Sequence, residues 1–417
     1  MQENRLKRKE EGDRFIPLRK MNTPVDYSMD LWSNQTTEEV RCGLLKEILP
    51  HNNGKLLNFS LKQNKKTNLP VINNKESLKT ESIKIKPKLI KKAEKTIIEA
   101  PGFKNDYYLN LLDAHSENLI GVVLSSSVFL LRRTKKYFGP ILLPSLQENE
   151  SGDVTSLTFD RLSESNLAFG NHYGQMKVHN WEKDCSLGVW HNHSRRIGAL
   201  QFSPVAKGII ATGSKDAKVS IADTRHRGEI SSGIAHSGEV CGIKWNPNGS
   251  LLASGGNDNL VHVWDIRKMQ IPITKIESHT AAVRALDWCP WEHNMLASGG
   301  GSGDTKLIIT NVDKSRKEKE MTTGSQVCAI AWDEGSRGIF AAHGFSKYQI
   351  SYWNYDKSVL CLEFVGHRNR VLSMISVGTN GTILTGSADE TLRLWQMNSF
   401  TKQFVKNDSQ ISHIVLR

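Results

Sequence analysis

The stretch LLASGGNDNLVHVWD, residues 251–265, decides the fold. Two apolar runs flank a turn built from Gly, Asn and Asp. Val261 and Val263 alternate with other residues along the second run, the period of a strand with one face buried. The run ends in Trp-Asp. Two further stretches follow the same plan, IIATGSKDAKVSIAD at 209–223 and TILTGSADETLRLWQ at 382–396. A second unit recurs ahead of each such turn. HSRRIGALQF, HSGEVCGIKW, HTAAVRALDW, TGSQVCAIAW and HRNRVLSMIS align without gaps from His193, His236, His279, Thr323 and His367. The intervals are 43, 43, 44 and 44 residues.

A repeat of about 40–45 residues, with short strands and a Trp-Asp ending, is the signature of a WD-repeat propeller. Two weaker units precede the five clear ones, from Asp153 to Trp181 and from Asp106 to about Leu131. The expectation is an all-β, seven-bladed propeller over residues 96–397. Residues 1–95 are expected to form a long, basic, largely disordered tail, and 398–417 a short flexible one. A propeller protects its sheet edges by closing the ring. KTIIEAP, just before the first blade, is expected to add a strand to the last blade after Trp395.

Ser, His and Asp recurring together could suggest a hydrolase triad. Here they recur once per blade, which suits bracing and not catalysis. Resemblance to WD repeats implies a chain of hydrogen bonds from Trp to Ser/Thr to His to Asp. The members are His236, Ser254, Asp258 and Trp264 in blade four, and His367, Thr385, Asp389 and Trp395 in blade seven. Such a network holds only when every member is satisfied. Ala222 and Thr310 stand where Trp is expected, and Thr323 replaces a His. Cys241 and Cys328 share one strand position in two blades, as core packing would place them.

Formal net charge is +12 over 417 residues. Residues 1–100 hold 21 Lys+Arg against 13 Asp+Glu, a balance of +8, so the rest carries only +4. Trp32 is the tail's one tryptophan; the other nine lie between Trp181 and Trp395. The tail's lysines are scattered without interleaved aromatics, so nucleic acid is not the expected partner. No apolar run reaches membrane-spanning length, and no apolar leader opens the chain, so no membrane partner is expected. None of the six cysteines forms a CxxC pair. No metal, cofactor or enzymatic activity is expected. GGGSGD joins strands and precedes no helix, so it is no phosphate cradle. The location expected is nucleus and cytoplasm.

A propeller alone says only that surfaces are held for binding. Specificity lies off the repeat, in EAPGFKNDYYLNLLDAH at 99–115, GGNDNLVHVW at 255–264 and WCPWEHNMLASGGGSGDTKL at 288–307. With GSQVC and ADETLRLW, these strings resemble the fizzy family, the WD-repeat activators of the anaphase-promoting complex. The resemblance runs from 96 to 397. The tail stretch GDRFIPLRK, residues 12–20, matches the family's box Asp-Arg-(Tyr/Phe)-Ile-Pro-x-Arg. The family ends in Ile-Arg; this chain ends in Leu416-Arg417.

The resemblance implies a substrate-recognition and activator subunit of a ubiquitin ligase. It would recruit degron-bearing substrates such as cyclins and securin, and could also meet checkpoint or inhibitor proteins. Asp13, Arg14, Phe15, Ile16, Pro17 and Arg19, with Leu416 and Arg417, would bind the ligase. Asp106 and Glu390 would hold the arginine of a destruction box. Asp113, Asn257, Asn259, Ser302, Gln326 and Arg370 would hold a Lys-Glu-Asn degron. Ala114 departs from the family, which usually has Trp there. KPKLIKK is only an echo of the family's Lys-Ile-Leu-Arg box, which with the short tail points to a late-mitotic or meiosis-specific member. The competing readings are a WD-repeat scaffold outside the ligase and a degenerate paralogue that binds without activating.

Overall fold

The computed structural model describes residues 87–91, 94–134, 138–141, 152–163, 165–226, 228–377 and 382–396. The tail box at 13–19 and the terminal Leu416-Arg417 lie outside the described residues. The chain divides into two units, Met1–Lys84 and Ile85–Arg417, and all described residues belong to the second.

Seven sheets, each built on four antiparallel strands, form the blades of a propeller. Blade four shows the plan. Val240–Trp245 is innermost, followed outward by Leu251–Gly256, Val261–Asp265 and Thr274–Ile276. The register pairs Leu252 with Trp264 and Ser254 with His262. Blades one, two, three and five begin with Leu112–Ser116, Val154–Phe159, Ile197–Phe202 and Val283–Trp288. Val327–Asp333 opens blade six and Val371–Val377 opens blade seven. Inner strands are buried nearly throughout, as in Val154–Phe159 with all six residues buried. Each blade packs on the next, so the core is a ring of interblade layers and not one central mass.

Closure follows the expectation. Glu94–Glu99 pairs antiparallel with Thr391–Gln396, Ile98 opposite Leu392. Blade seven therefore combines chain from both ends of the propeller. A second strand was not expected: Lys88–Lys91 adds parallel to Val359–Val365 on the outside of blade six, with Ile90 buried. Strand structure thus begins inside the stretch expected to be a tail.

The bracing networks form as read in blades four and seven. Trp264 Nε1 donates to Ser254 Oγ at 2.9 Å, and Ser254 Oγ lies 2.8 Å from His236 Nε2. His236 Nδ1 is 3.0 Å from both Asp258 oxygens. Trp only donates, so the order of donors is set: Trp to Ser, Ser to His Nε2, His Nδ1–H to Asp. Blade seven repeats this with Trp395–Thr385 at 2.8 Å, Thr385–His367 at 2.7 Å and His367–Asp389 at 3.0 Å. Burial alone would raise the Asp258 carboxyl. The His236 bond and charge, with the N–H groups of Ser237 and Leu260, outweigh it and hold Asp258 below its ordinary value.

Blade six, which has Thr323 in place of the first His, solves the same problem differently. His343 Nε2 lies 2.6 Å from Ser351 Oγ, and Trp353 Nε1 donates to that oxygen at 2.8 Å. The His has moved to the second strand and the Ser to the third. In blades three and five the registers place Ala222 and Thr310 at the Trp position, yet His193–Asp216 and His279–Asp304 persist.

Candidate functional site at the channel mouth

The decisive element is not a blade strand. Asn105–Asn110, within the NDYYLN string, crosses one mouth of the central channel and touches blade after blade. Arg370 of blade seven donates from Nε to Asn105 Oδ1 at 2.9 Å and from Nη2 to the Asn105 carbonyl at 3.2 Å. Tyr107 Oη reaches the carbonyls of Ala282 and Val327, both at 3.3 Å, in blades five and six. Tyr108 Oη donates to Asn257 Oδ1 at 3.0 Å in blade four. Asn110 Nδ2 donates to the carbonyls of Gly198 and Cys241 at 2.7 and 3.1 Å. Below it, the buried Arg284 donates to the carbonyls of Leu109, Cys328 and Leu372, the first at 2.8 Å. One short segment thereby ties blades three to seven together.

This crossbar gathers most residues expected to hold a Lys-Glu-Asn degron. Asn257 and Arg370 bond to it directly. Gln326 precedes Val327, whose carbonyl takes Tyr107. Ser302 follows Gly301, whose N–H donates to the same Ala282 carbonyl that Tyr107 reaches. Asn259 sits at φ 68° in the turn beyond Asn257, its N–H donating to the Gly256 carbonyl. Two features invite a ligand. Arg370 is only 5% exposed, stacks 5.5 Å from the Phe345 ring, and has no carboxylate partner among the described residues. Gln326 buries its Oε1 without a hydrogen-bond partner. A cation lacking its anion and an acceptor lacking its donor are costly to leave so.

Asp113 is placed elsewhere. Its carboxylate accepts from Phe159 N at 2.9 Å, Thr158 Oγ1 at 3.1 Å and Arg161 Nη2 at 3.2 Å. It lines a cavity of about 400 Å³ with Trp245 and Trp288, at the far ends of inner strands that begin near Asn257, Gln326 and Arg370. The structure brings the other five residues to one mouth and Asp113 to the opposite end of the channel.

Asp106 and Glu390 are likewise not in contact. Asp106 caps the Tyr108 N–H at 2.8 Å and lies 3.3 Å from Arg196 Nη1. Arg196 is held more tightly by Glu239, at 2.7 and 2.8 Å, and stacks near Tyr108. Arg196 and Glu239 were missed by sequence reading, because charged residues flanking a strand look like ordinary rim charges. Glu390 is exposed at φ 59° in the outward turn of blade seven, its carbonyl accepting the Ala100 N–H at 2.8 Å.

His236, Asp258 and His262 place metal-ligating atoms within 4.8 Å of one another. Both His236 nitrogens are already engaged by Asp258 and Ser254, so the group reads as part of the bracing network.

The CDC20/Fizzy WD40 domain family model matches residues 98–395. The chain belongs to this family. It is 33% identical to "Cell division cycle 20.5, cofactor of APC complex" of Arabidopsis thaliana, over 93% of this chain and 88% of that protein. It is 37% identical to "Meiotic fizzy-related protein 1" of Schizosaccharomyces pombe, over 72% of this chain and 70% of that one. A chain in the "Crystal Structure of Mitotic Checkpoint Complex" matches at TM-score 0.67 and 30% identity, covering 83% of this chain and 99% of that one. An all-β WD40 propeller of the CDC20/Fizzy family is typically a non-catalytic scaffold, and the crossbar string is where this member holds its blades to a common centre.

Proposed function

We propose that the chain is a substrate-recognition and activator subunit of the anaphase-promoting complex, reading short degrons at the crossbar mouth. The observation that carries this is the buried Arg370, held by Asn105 and Phe345 yet lacking an acid. A degron Glu would supply that acid through charge-assisted, bidentate bonds. The unpartnered Gln326 oxygen would accept from the degron's Asn amide, with Asn257, Asn259 and Ser302 around it. The degron's Lys would meet Asp106, the acid on the crossbar itself, because Asp113 lies at the other end of the channel. Relatives described as cofactors of the APC complex, and the tail box at Asp13–Arg19, support delivery of the bound substrate to that ligase. The destruction-box arginine would use Glu390, exposed in the outward turn of blade seven.

Arg370→Glu tests the reading. Binding of a Lys-Glu-Asn peptide should vanish in isothermal titration while a destruction-box peptide still binds, and Glu390→Gln should do the converse. Equal binding of both peptides by Arg370→Glu would overturn the assignment.

A further inference from the structure

A second cavity, of about 560 Å³, opens far from the crossbar, where blade one meets blade two. It forms where the first strand of blade one ends, the second begins and the third ends. Its walls include His115, Ser116, Arg132, Arg133, Thr134 and Trp181. No Asp or Glu lines it among the described residues; Glu117, in the adjoining turn, is not part of the wall.

Among the described residues, the two arginine side chains are held by stacking. The Arg132 guanidinium lies 5.5 Å from the Trp181 ring and that of Arg133 lies 6.0 Å from Phe138. Neither has a carboxylate partner among the described residues. Stacking fixes the plane of a guanidinium and leaves its N–H edges free to bond an anion. Two buried nitrogens in the same wall, Trp181 Nε1 and His115 Nε2, also lack a hydrogen-bond partner, and Trp181 is only 7% exposed. Trp181 Nε1 can only donate. The lining therefore carries two guanidinium forks and no carboxylate, beside the neutral polar groups of Ser116, Asn118 and Thr134.

We infer that this cavity binds a phosphate monoester carried on a serine or threonine side chain. A carboxylate offers two oxygens and one charge. A phosphate monoester offers three oxygens and a charge of about −1.5 to −2, which matches two guanidinium forks better. The Trp181 ring and Leu119 supply an apolar wall for the carbon stem of a phosphorylated residue. The site shares no residue with the crossbar mouth, so it stands or falls independently of degron recognition.

The full chain is titrated by calorimetry with a short phosphothreonine peptide, its unphosphorylated form, a Glu-substituted form and inorganic phosphate. The phosphopeptide should bind saturably. Arg132→Gln and Arg133→Gln should each weaken it by about tenfold or more, and Arg132→Lys should also weaken it, because the fork is lost while charge remains. Melting temperature and Lys-Glu-Asn peptide affinity should not change in these variants. Inorganic phosphate binding as tightly as the phosphopeptide would assign the site to the free ion. Tighter binding of the phosphopeptide would assign it to a modified protein. No saturable binding of either, equal binding of the Glu-substituted peptide, or undiminished binding by the double Gln variant would overturn the inference.

Discussion

Ser254 is the joint of blade four's network, because its one oxygen serves both Trp264 and His236. Ser254→Ala would leave a buried Trp N–H and a buried His nitrogen unpaired, in a site where both rings are almost fully covered. Each orphaned group costs about 1–3 kcal/mol. The variant should therefore lose roughly 2–6 kcal/mol, read as a lower urea midpoint. An unchanged midpoint would show that the network is decoration. His262 makes the opposite case. It is 2% exposed, and among the described residues its ring nitrogens find no well-formed hydrogen bond, only weak help from the Ala235 backbone. Burial first, then the neighbouring His236, pushes it down to about 4, against opposing help from Asp258, with Lys275 adding to the depression. As pH falls below its ordinary 6.5, the unfolded chain takes up a proton that the folded chain refuses, so stability falls from there toward pH 4. His343, pushed by burial to about 4, acts in the same window. The bracing aspartates act lower, since their contribution is present above their ordinary 3.8 and lost as pH drops through their depressed folded values. His262→Leu should leave stability at pH 7 equal or higher and flatten the loss toward pH 4. Thermal melts at the two pH values, with an undiminished slope in the variant, would contradict this. The sequence could show that His236, Ser254, Asp258 and Trp264 belong together, because their spacing repeats. It could not show blade six's relocated His343 and Ser351, because moving two partners to facing strands preserves geometry while erasing spacing.

At the scale of elements, the repeat made seven blades legible, and the KTIIEAP strand could be placed by topology alone, because an open ring leaves a bare edge. The Lys88–Lys91 strand was not legible. Its KLIK sequence carries no alternation strong enough to outweigh the lysines around it. The two strands should differ sharply in worth. A chain beginning at Glu94 loses only an added outer strand and should melt close to the full chain. A chain beginning at Ala100 loses the closing strand and exposes Thr391–Gln396 as an unpaired edge. At 2–4 °C per kcal/mol, its melting temperature should fall on the order of 10 °C, with aggregation on heating. Light scattering during the melt checks both. The crossbar was visible as an unusual string, but not as a crossbar. Its partners are carbonyls of Gly198, Cys241, Ala282 and Val327, and backbone acceptors leave no mark in sequence. The same limit explains Asp113. Its residue type fitted a degron lysine, but only the inner strand's direction reveals which end of the channel it lines.

For the molecule as a whole, the proposed function divides reading and attachment between separate parts of the chain. The described residues that build the crossbar mouth run from Asn105 to Arg370. Under the proposed function, the apolar side chains of Phe15 and Ile16 would be buried in a partner's groove, with Pro17 limiting the entropy lost on docking. Leu416 in place of a family Ile keeps volume and hydrophobicity, so that contact should be weakened little. The two functions should then come apart cleanly. Arg14→Ala, combined with deletion of Arg417, should abolish co-purification with the ligase while leaving Lys-Glu-Asn peptide affinity and the melting temperature of the full chain unchanged. Arg370→Glu should do the reverse, retaining the ligase and losing the peptide. If ligase co-purification survived the loss of both Arg14 and Arg417, attachment would have to run through the propeller, and a single surface would be doing both jobs.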